Sequence, residues 1–285
     1  MQTHTTAAAE NRDADSVANA TRDKHTDSHA AQRVLALFAH PDDMEFLCAG
    51  TLAHLAGHGL NIHIATMTAG DCGSTTLSAA KIANIRRREA RRAAKLIGAH
   101  YSCLNERDLR IFYDWKTLGK VTELVRRTNP TIVFTHSPVD YMVDHETTSQ
   151  LCRTACFGAM ARNFRTGKST PAKPLGSVPH LYYAEPFGAR DILGKEVQAT
   201  LFVDISATFS LKAQMLSCHE SQQDFLRAQQ GISHLLDMMR AMAERAGKIS
   251  QLSVAEGFRQ HLGQGFPRKE WLGLLLPGLV RNSKT

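Results

Sequence analysis

Apolar positions follow two rhythms along this chain. Short unbroken runs, "RVLALFA" at 33–39, "LNIHIATMT" at 60–68, "HYSCL" at 100–104 and "PTIVFTH" at 130–136, have the length and side chains of buried strands. Between them, 47–59, 78–98 and 115–129 repeat apolar residues every three or four positions, and the first two stop at glycine, as helices do. Farther on, 147–164 and 210–230 read as helices, 180–186 and 200–206 as strands, and 165–179 as a loop. Strands apolar on both faces that alternate with helices predict an α/β, Rossmann-like three-layer fold, its mainly parallel sheet flanked by helices. In such sheets ligands bind at the carboxyl ends of strands. Residues 1–30 carry no rhythm and predict a disordered polar leader; 31–285 show no linker or repeat and predict one domain.

The chain has 285 residues and a formal net charge of +7, with much of the excess in "IRRREARRAAK" at 85–95. That cluster reads as a solvated helix face, since no zinc-finger spacing, recognition motif or interleaved aromatics accompanies it. No nucleic-acid partner is expected. No run approaches the about 20 apolar residues of a membrane helix, and the first 32 lack the apolar core of a secretory signal, so a cytoplasmic protein is expected. Six dispersed cysteines then predict reduced, mostly buried thiols rather than disulfides. A homo-oligomer stays open.

The end of the first strand breaks this bland picture. "FAHPDDMEFLCAGT" places His40, Asp42, Asp43 and Glu45 where a buried strand hands over to a helix. Crowded carboxylates resist burial unless something positive sits among them: a metal ion, a basic partner or solvent. The turn has no glycine-rich phosphate cradle and its acids repel phosphate, which excludes a dinucleotide site there. His40 and Asp43, three apart across a turn opened by Pro41, suit one metal ion. "VDYMVDHE" offers His145 as a third ligand from a second strand end. The spare aspartate of the pair would then stand near an activated water as a base, which points to metal-assisted hydrolysis. The rival reading makes Asp43 a helix N-cap and the histidines a chance match.

The ordered motifs carry a resemblance. "AHPDDMEFLCAGTLAHLAGHG", "MTAGDCGS", "IRRREARRAAKLIGA", "THSPVDYMVDHETTSQL", "KAQMLSCHESQ" and "AEGFRQH" closely resemble the signatures of the LmbE-like, or PIG-L, family of zinc-dependent N-deacetylases, over about 33–261. The resemblance implies one Zn2+ per chain on His40, Asp43 and His145, with Asp42 as general base and Arg86 touching substrate. It implies Glu45 and Asp144 as supporting groups behind the ligands. The implied activity is removal of an N-acyl group, usually acetyl, from an amino sugar or sugar conjugate such as an N-acetylglucosamine derivative. The alternatives are another sugar-linked amide as substrate, or a binding protein of the same fold without turnover. Fe(II) suits the same donors. Many family members read H-P-D-H where this chain has "MVDH", so Met142 stands in place of a histidine that helps hold the oxyanion. A thioether donates no hydrogen bond; His136 and His219 are the expected substitutes. Specificity loops are expected at 105–114 and 163–195.

Overall fold

A computed structural model describes residues 32–230 and 234–283. The expected leader, 1–30, lies outside them. Among the described residues one eight-stranded sheet organises the chain, in the order β3-β2-β1-β4-β5-β7-β6-β8. The strands are β1 (Arg33–Phe38), β2 (Asn61–Thr68), β3 (His100–Glu106), β4 (Ile132–Thr135), β5 (His180–Ala184), β6 (Leu201–Asp204), β7 (Ala255–Gln260) and β8 (Val280–Asn282). Strands β3-β2-β1-β4-β5 pair parallel. Strand β7 pairs antiparallel with β5 and β6, and β8 with β6. The mainly parallel sheet is therefore as expected. Its antiparallel edge begins at β7, a strand whose segment shows no apolar alternation in "AEGFRQ".

Strand β1 explains why the parallel half forms. Val34, Ala36 and Phe38 enter one core, with Ile64, Phe134 and Tyr182. Leu35, Leu37 and Ala39 enter another on the opposite face, with Val121, Val133 and Leu151. A strand that buries both faces needs a layer of helices on each side. The helices of the parallel half are α1 (Asp43–Leu47), α2 (Ala49–Gly57), α3 (Ala79–Lys95), α4 (Trp115–Thr128) and α5 (Val143–Gly158). After β6 come α6 (Phe209–Ser217), α7 (Glu220–Gln230), α8 (Leu235–Ser250) and the short α9 (Leu272–Leu275).

The helix expected over 210–230 is broken, and the one expected over 47–59 is preceded by a separate short helix, α1; a distant carboxylate enters at each junction. At Cys48 the chain leaves helical geometry between α1 and α2. There Glu256 of β7 accepts from the Gly50 and Thr51 amides, at 2.9 and 2.7 Å, and from the Thr51 hydroxyl at 2.6 Å. A carboxylate at a helix N-terminus satisfies orphan N–H groups and meets the positive end of the dipole. Lys212 joins the two sides of the break: its Nζ donates to Glu256 at 2.6 Å and to the Phe46 carbonyl at 2.7 Å. Gly50 is required there, because a Cβ would fall 2.7 Å from Ile205. The second break, at Cys218–His219, separates α6 from α7; Glu89 of α3 accepts from the Ser221 amide at 3.0 Å and hydroxyl at 2.6 Å.

All six cysteines are free; Cys48, Cys152 and Cys156 are buried, whereas Cys72 is exposed and Cys103 and Cys218 are intermediate. Among the described residues no helix is long and apolar enough to cross a membrane.

Candidate metal centre

Strand order reverses between β1 and β4, since β2 and β3 lie on one side of β1 and β4 and β5 on the other. Two loops leaving neighbouring parallel strands there diverge and open a crevice. The loop after β1 carries His40, Asp42 and Asp43. The loop after β4 runs into α5, which begins at Val143, earlier than expected, so Asp144 and His145 occupy its first turn.

His40, Asp43 and His145 offer ligand atoms that all lie within 4.8 Å of one another. The His145 ring is held from behind: its Nδ1 stands 3.0 Å from Asp140 Oδ1. In the neutral ring, a carboxylate on Nδ1 selects the tautomer whose Nε2 carries the lone pair. That Nε2 is buried and makes no hydrogen bond, although Asp43 Oδ1 lies 3.5 Å away. Asp43 caps no helix; its Oδ2 accepts from the His40 amide at 2.7 Å, which sets the carboxylate across the turn. His40 stands between acids, with Nδ1 3.4 Å from Asp43 and Nε2 3.2 Å from Asp144. Asp144 is itself fixed by the Leu109 amide at 2.6 Å. An orphaned buried imidazole nitrogen beside an oriented carboxylate and a second imidazole fits a divalent ion.

The electrostatics point the same way. Burial works against ionisation of Asp43, yet His145 and His136 hold its carboxyl well below the ordinary range. Burial also pulls His40 and His145 down, but the surrounding aspartates outweigh it. Asp144 and Asp43 raise His40 to about 9, and Asp43 and Asp140 raise His145 to about 10. The cluster therefore concentrates negative charge that calls for a cation.

Asp42 lies apart from the ligand set. It adopts φ 100°, ψ −28°, outside the ordinary left-handed region that Asn and Asp tolerate. Strain of this kind costs about 1–3 kcal/mol and persists where the surroundings impose it. Arg86 supplies that constraint: its Nη2 donates to the Pro41 carbonyl at 2.6 Å and to Asp42 Oδ1 at 3.3 Å. The guanidinium is packed so closely that a Cβ on Gly70 or Gly73 would approach it to 2.3 and 2.6 Å. Arg86 is only 3 % exposed, so it is no solvated helix arginine. Burial raises the Asp42 carboxyl to about 6, with Arg86 opposing.

The other expected residues divide. Glu45 is buried but faces away from the cluster, its Oε1 3.0 Å from His219 Nε2. That contact ties α1 to the α6–α7 junction. His219, fully buried there, does not line the cavity. His136 is no substitute for the missing histidine either. Its Nε2 accepts from the Ala39 amide at 3.0 Å, and its ring stacks behind His145 at 3.9 Å. Burial and the neighbouring His145 bring it down to about 4, against the pull of Asp43, whose Oδ2 lies 3.1 Å from its Nε2. Met142 does line the cavity, next to Tyr141, whose ring centre is 5.3 Å from that of His145.

The cavity over the cluster has a volume of about 710 Å³. Asp108 and Leu109 reach it from the expected loop 105–114, and Phe187 from 163–195. Residues of α7 and α8 also line it, and nothing in the sequence singled them out. Asp140 was overlooked as well; the first acid in "VDYMVDHE" was its signal.

Fold and site together define an α/β protein with His40, Asp43 and His145, side chains that could hold a metal ion, gathered at the switch point of its sheet. Residues 35–156 match the model of the PIG-L family, described as GlcNAc-PI de-N-acetylase, the likeness the motifs led us to expect. It is 26% identical over 197 residues to 4-oxalmesaconate hydratase of Pseudomonas putida, covering 66% of this chain and 73% of that protein. It is 26% identical over 235 residues to diacetylchitobiose deacetylase of Thermococcus kodakarensis, covering 80% and 82%. The N,N'-diacetylchitobiose deacetylase structure from Pyrococcus horikoshii superposes with a TM-score of 0.68 at 26% identity, covering 81% of this chain and 84% of that one.

Proposed function

We propose that this chain is a metal-dependent hydrolase that removes an N-acyl group from an amino sugar or sugar conjugate. The observation that carries the reading is the buried His40–Asp43–His145 cluster beside an aspartate, Asp42, that takes no part in it. The deacetylase relatives support the reaction class. His40, Asp43 and His145 would hold the ion, which we assign as Zn2+ from their donor types. When bound, the ion supplies Lewis-acid chemistry: it polarises the amide carbonyl and acidifies water.

The protein's own groups do the rest. Asp42 accepts the proton of the attacking water and returns it to the departing amine nitrogen, a shuttle suited to a carboxyl raised to about 6. Arg86 keeps that carboxylate aimed and faces the substrate side of the cavity. Asp140 and Asp144 orient His145 and His40. At position 142 the family's donor is lost, and the adjacent Tyr141 phenol is the O–H group that takes its place toward the developing oxyanion.

The test is direct: incubate zinc-loaded protein with diacetylchitobiose and related N-acetylglucosamine conjugates, then measure free amine and acetate. Release that vanishes on chelation and on Asp42→Asn supports the reading. Full metal occupancy with no cleavage of any amide contradicts it and favours a binding protein.

A second reading, addition of water to a carbon–carbon double bond, is favoured by the likeness to the hydratase. An acid with several carboxylates would meet Asp42, Asp43 and Asp108, with Arg86 the one permanent cation among the described lining residues. That charge balance favours the amide.

A further inference from the structure

The cavity is far larger than an acetyl group requires, and its polarity is lopsided. Its charged groups gather on the floor: His40, Asp42, Asp43, Asp108 and His145 just beyond the strand ends, and Arg86 from α3. Everything above is almost wholly apolar. One wall is a run of rings that starts on a proposed ligand. His145 and Tyr141 have centroids 5.3 Å apart, Tyr141 and Phe187 are 6.2 Å apart, and Phe187 and Phe46 are 5.6 Å apart. The rest of the apolar lining includes Phe225 and Leu226 of α7 and Leu235 and Met238 of α8.

Those two helices are rich in charge elsewhere. Asp224, Arg227 and Asp237 have side chains 78%, 62% and 73% exposed, and none of them lines the cavity. Gln222 is the one polar side chain that α7 and α8 turn inward among the described residues. The apolar surface is anchored, because Leu235 belongs to the main core and Leu226, Met238 and Phe187 pack against it. A sugar ring needs hydroxyl partners on its flanks, and this wall offers almost none. An amide carbonyl seated on the floor has two flanks, one toward the hydroxyl-bearing amine and one toward the acyl chain. The floor's Arg86 and Asp108 suit the first, and the ring-lined wall suits the second.

We infer that the apolar upper half of the cavity is a subsite for the acyl chain, so that the preferred substrate is an amino-sugar amide of a medium-length fatty acid rather than an acetamide. The inference rests on the amide-hydrolase reading of the floor. Burial of each added methylene then favours reaction.

The experiment is a chain-length series: kcat/KM of the zinc-loaded protein on N-acetyl-, N-butyryl-, N-hexanoyl- and N-octanoylglucosamine. We expect a rise of about fourfold per methylene as far as hexanoyl. In Leu226→Gln and Met238→Gln, checked for an unchanged melting temperature, the hexanoyl-to-acetyl ratio should fall by about tenfold. A flat or falling series with acetamide cleaved overturns the acyl subsite and leaves the hydrolase intact. If no amide is cleaved, the hydrolase reading fails and calorimetry on the same ligands decides the subsite. N-hexanoylglucosamine binding more tightly than the N-acetyl compound supports it, and equal affinity overturns it.

Discussion

The floor and the upper walls of the cavity are built by different physics. The floor comes largely from the segments after β1 and β4, residues 40–43 and 140–145, joined by Arg86 of α3 and by Asp108 after β3. Its side chains are charged and nearly all buried: His40, Asp42, Asp140, Asp144 and His145 have relative exposures between 0% and 8%. The upper walls come largely from Phe187 and from α7 and α8, in apolar side chains that also serve the core. Buried charge needs a reason, so the floor can be read residue by residue. Apolar wall residues satisfy the ordinary demand for burial and carry no mark of a second role.

That contrast predicts a split in how the two parts respond to change. Asp42→Asn should show the largest effect, a loss of about 10²–10⁴-fold in kcat, with metal content retained because Asp42 stands outside the ligand set. Equal loss of metal and activity would make Asp42 part of the metal cage. Asp140→Asn comes next. It removes the carboxylate that orients His145 and should weaken metal affinity by about 10–100-fold, read by chelator competition. Unchanged affinity would reduce Asp140 to a packing residue. Acid sensitivity is a smaller effect. A base works only when ionised, so activity is present above the Asp42 pKa and falls with pH below it. Burial sets that carboxyl at about 6. A bound cation favours the carboxylate and moves the limb downward. The acid limb of kcat should lie at or below about 6 and be absent in Asp42→Asn.

Much of the floor was legible in the sequence because its chemistry is local. Four polar residues in six positions at a strand end cannot be a core, and a second polar strand end offered His145 as the third candidate ligand. What stayed hidden depends on long-range placement. The α1–α2 break follows from Glu256, which lies 206 residues beyond the Gly50 amide it caps. His136 and His219 were equally good candidates to replace the lost histidine. Only the packing shows that one stacks behind His145 and the other pairs with Glu45. The parallel strands announced themselves through two apolar faces, whereas β7, with the segment "AEGFRQ", did not. The α7–α8 wall was invisible for the opposite reason, since its residues look like any helical core face.

The central claim is that His40, Asp43 and His145 hold a divalent ion. The most direct measurement is elemental analysis of the purified protein after incubation with zinc and removal of excess, with Asp43→Ala carried in parallel. The account predicts about one zinc per chain in the wild type and none in a folded variant. A wild-type protein that retains no metal, or a variant that retains as much as wild type, would contradict it.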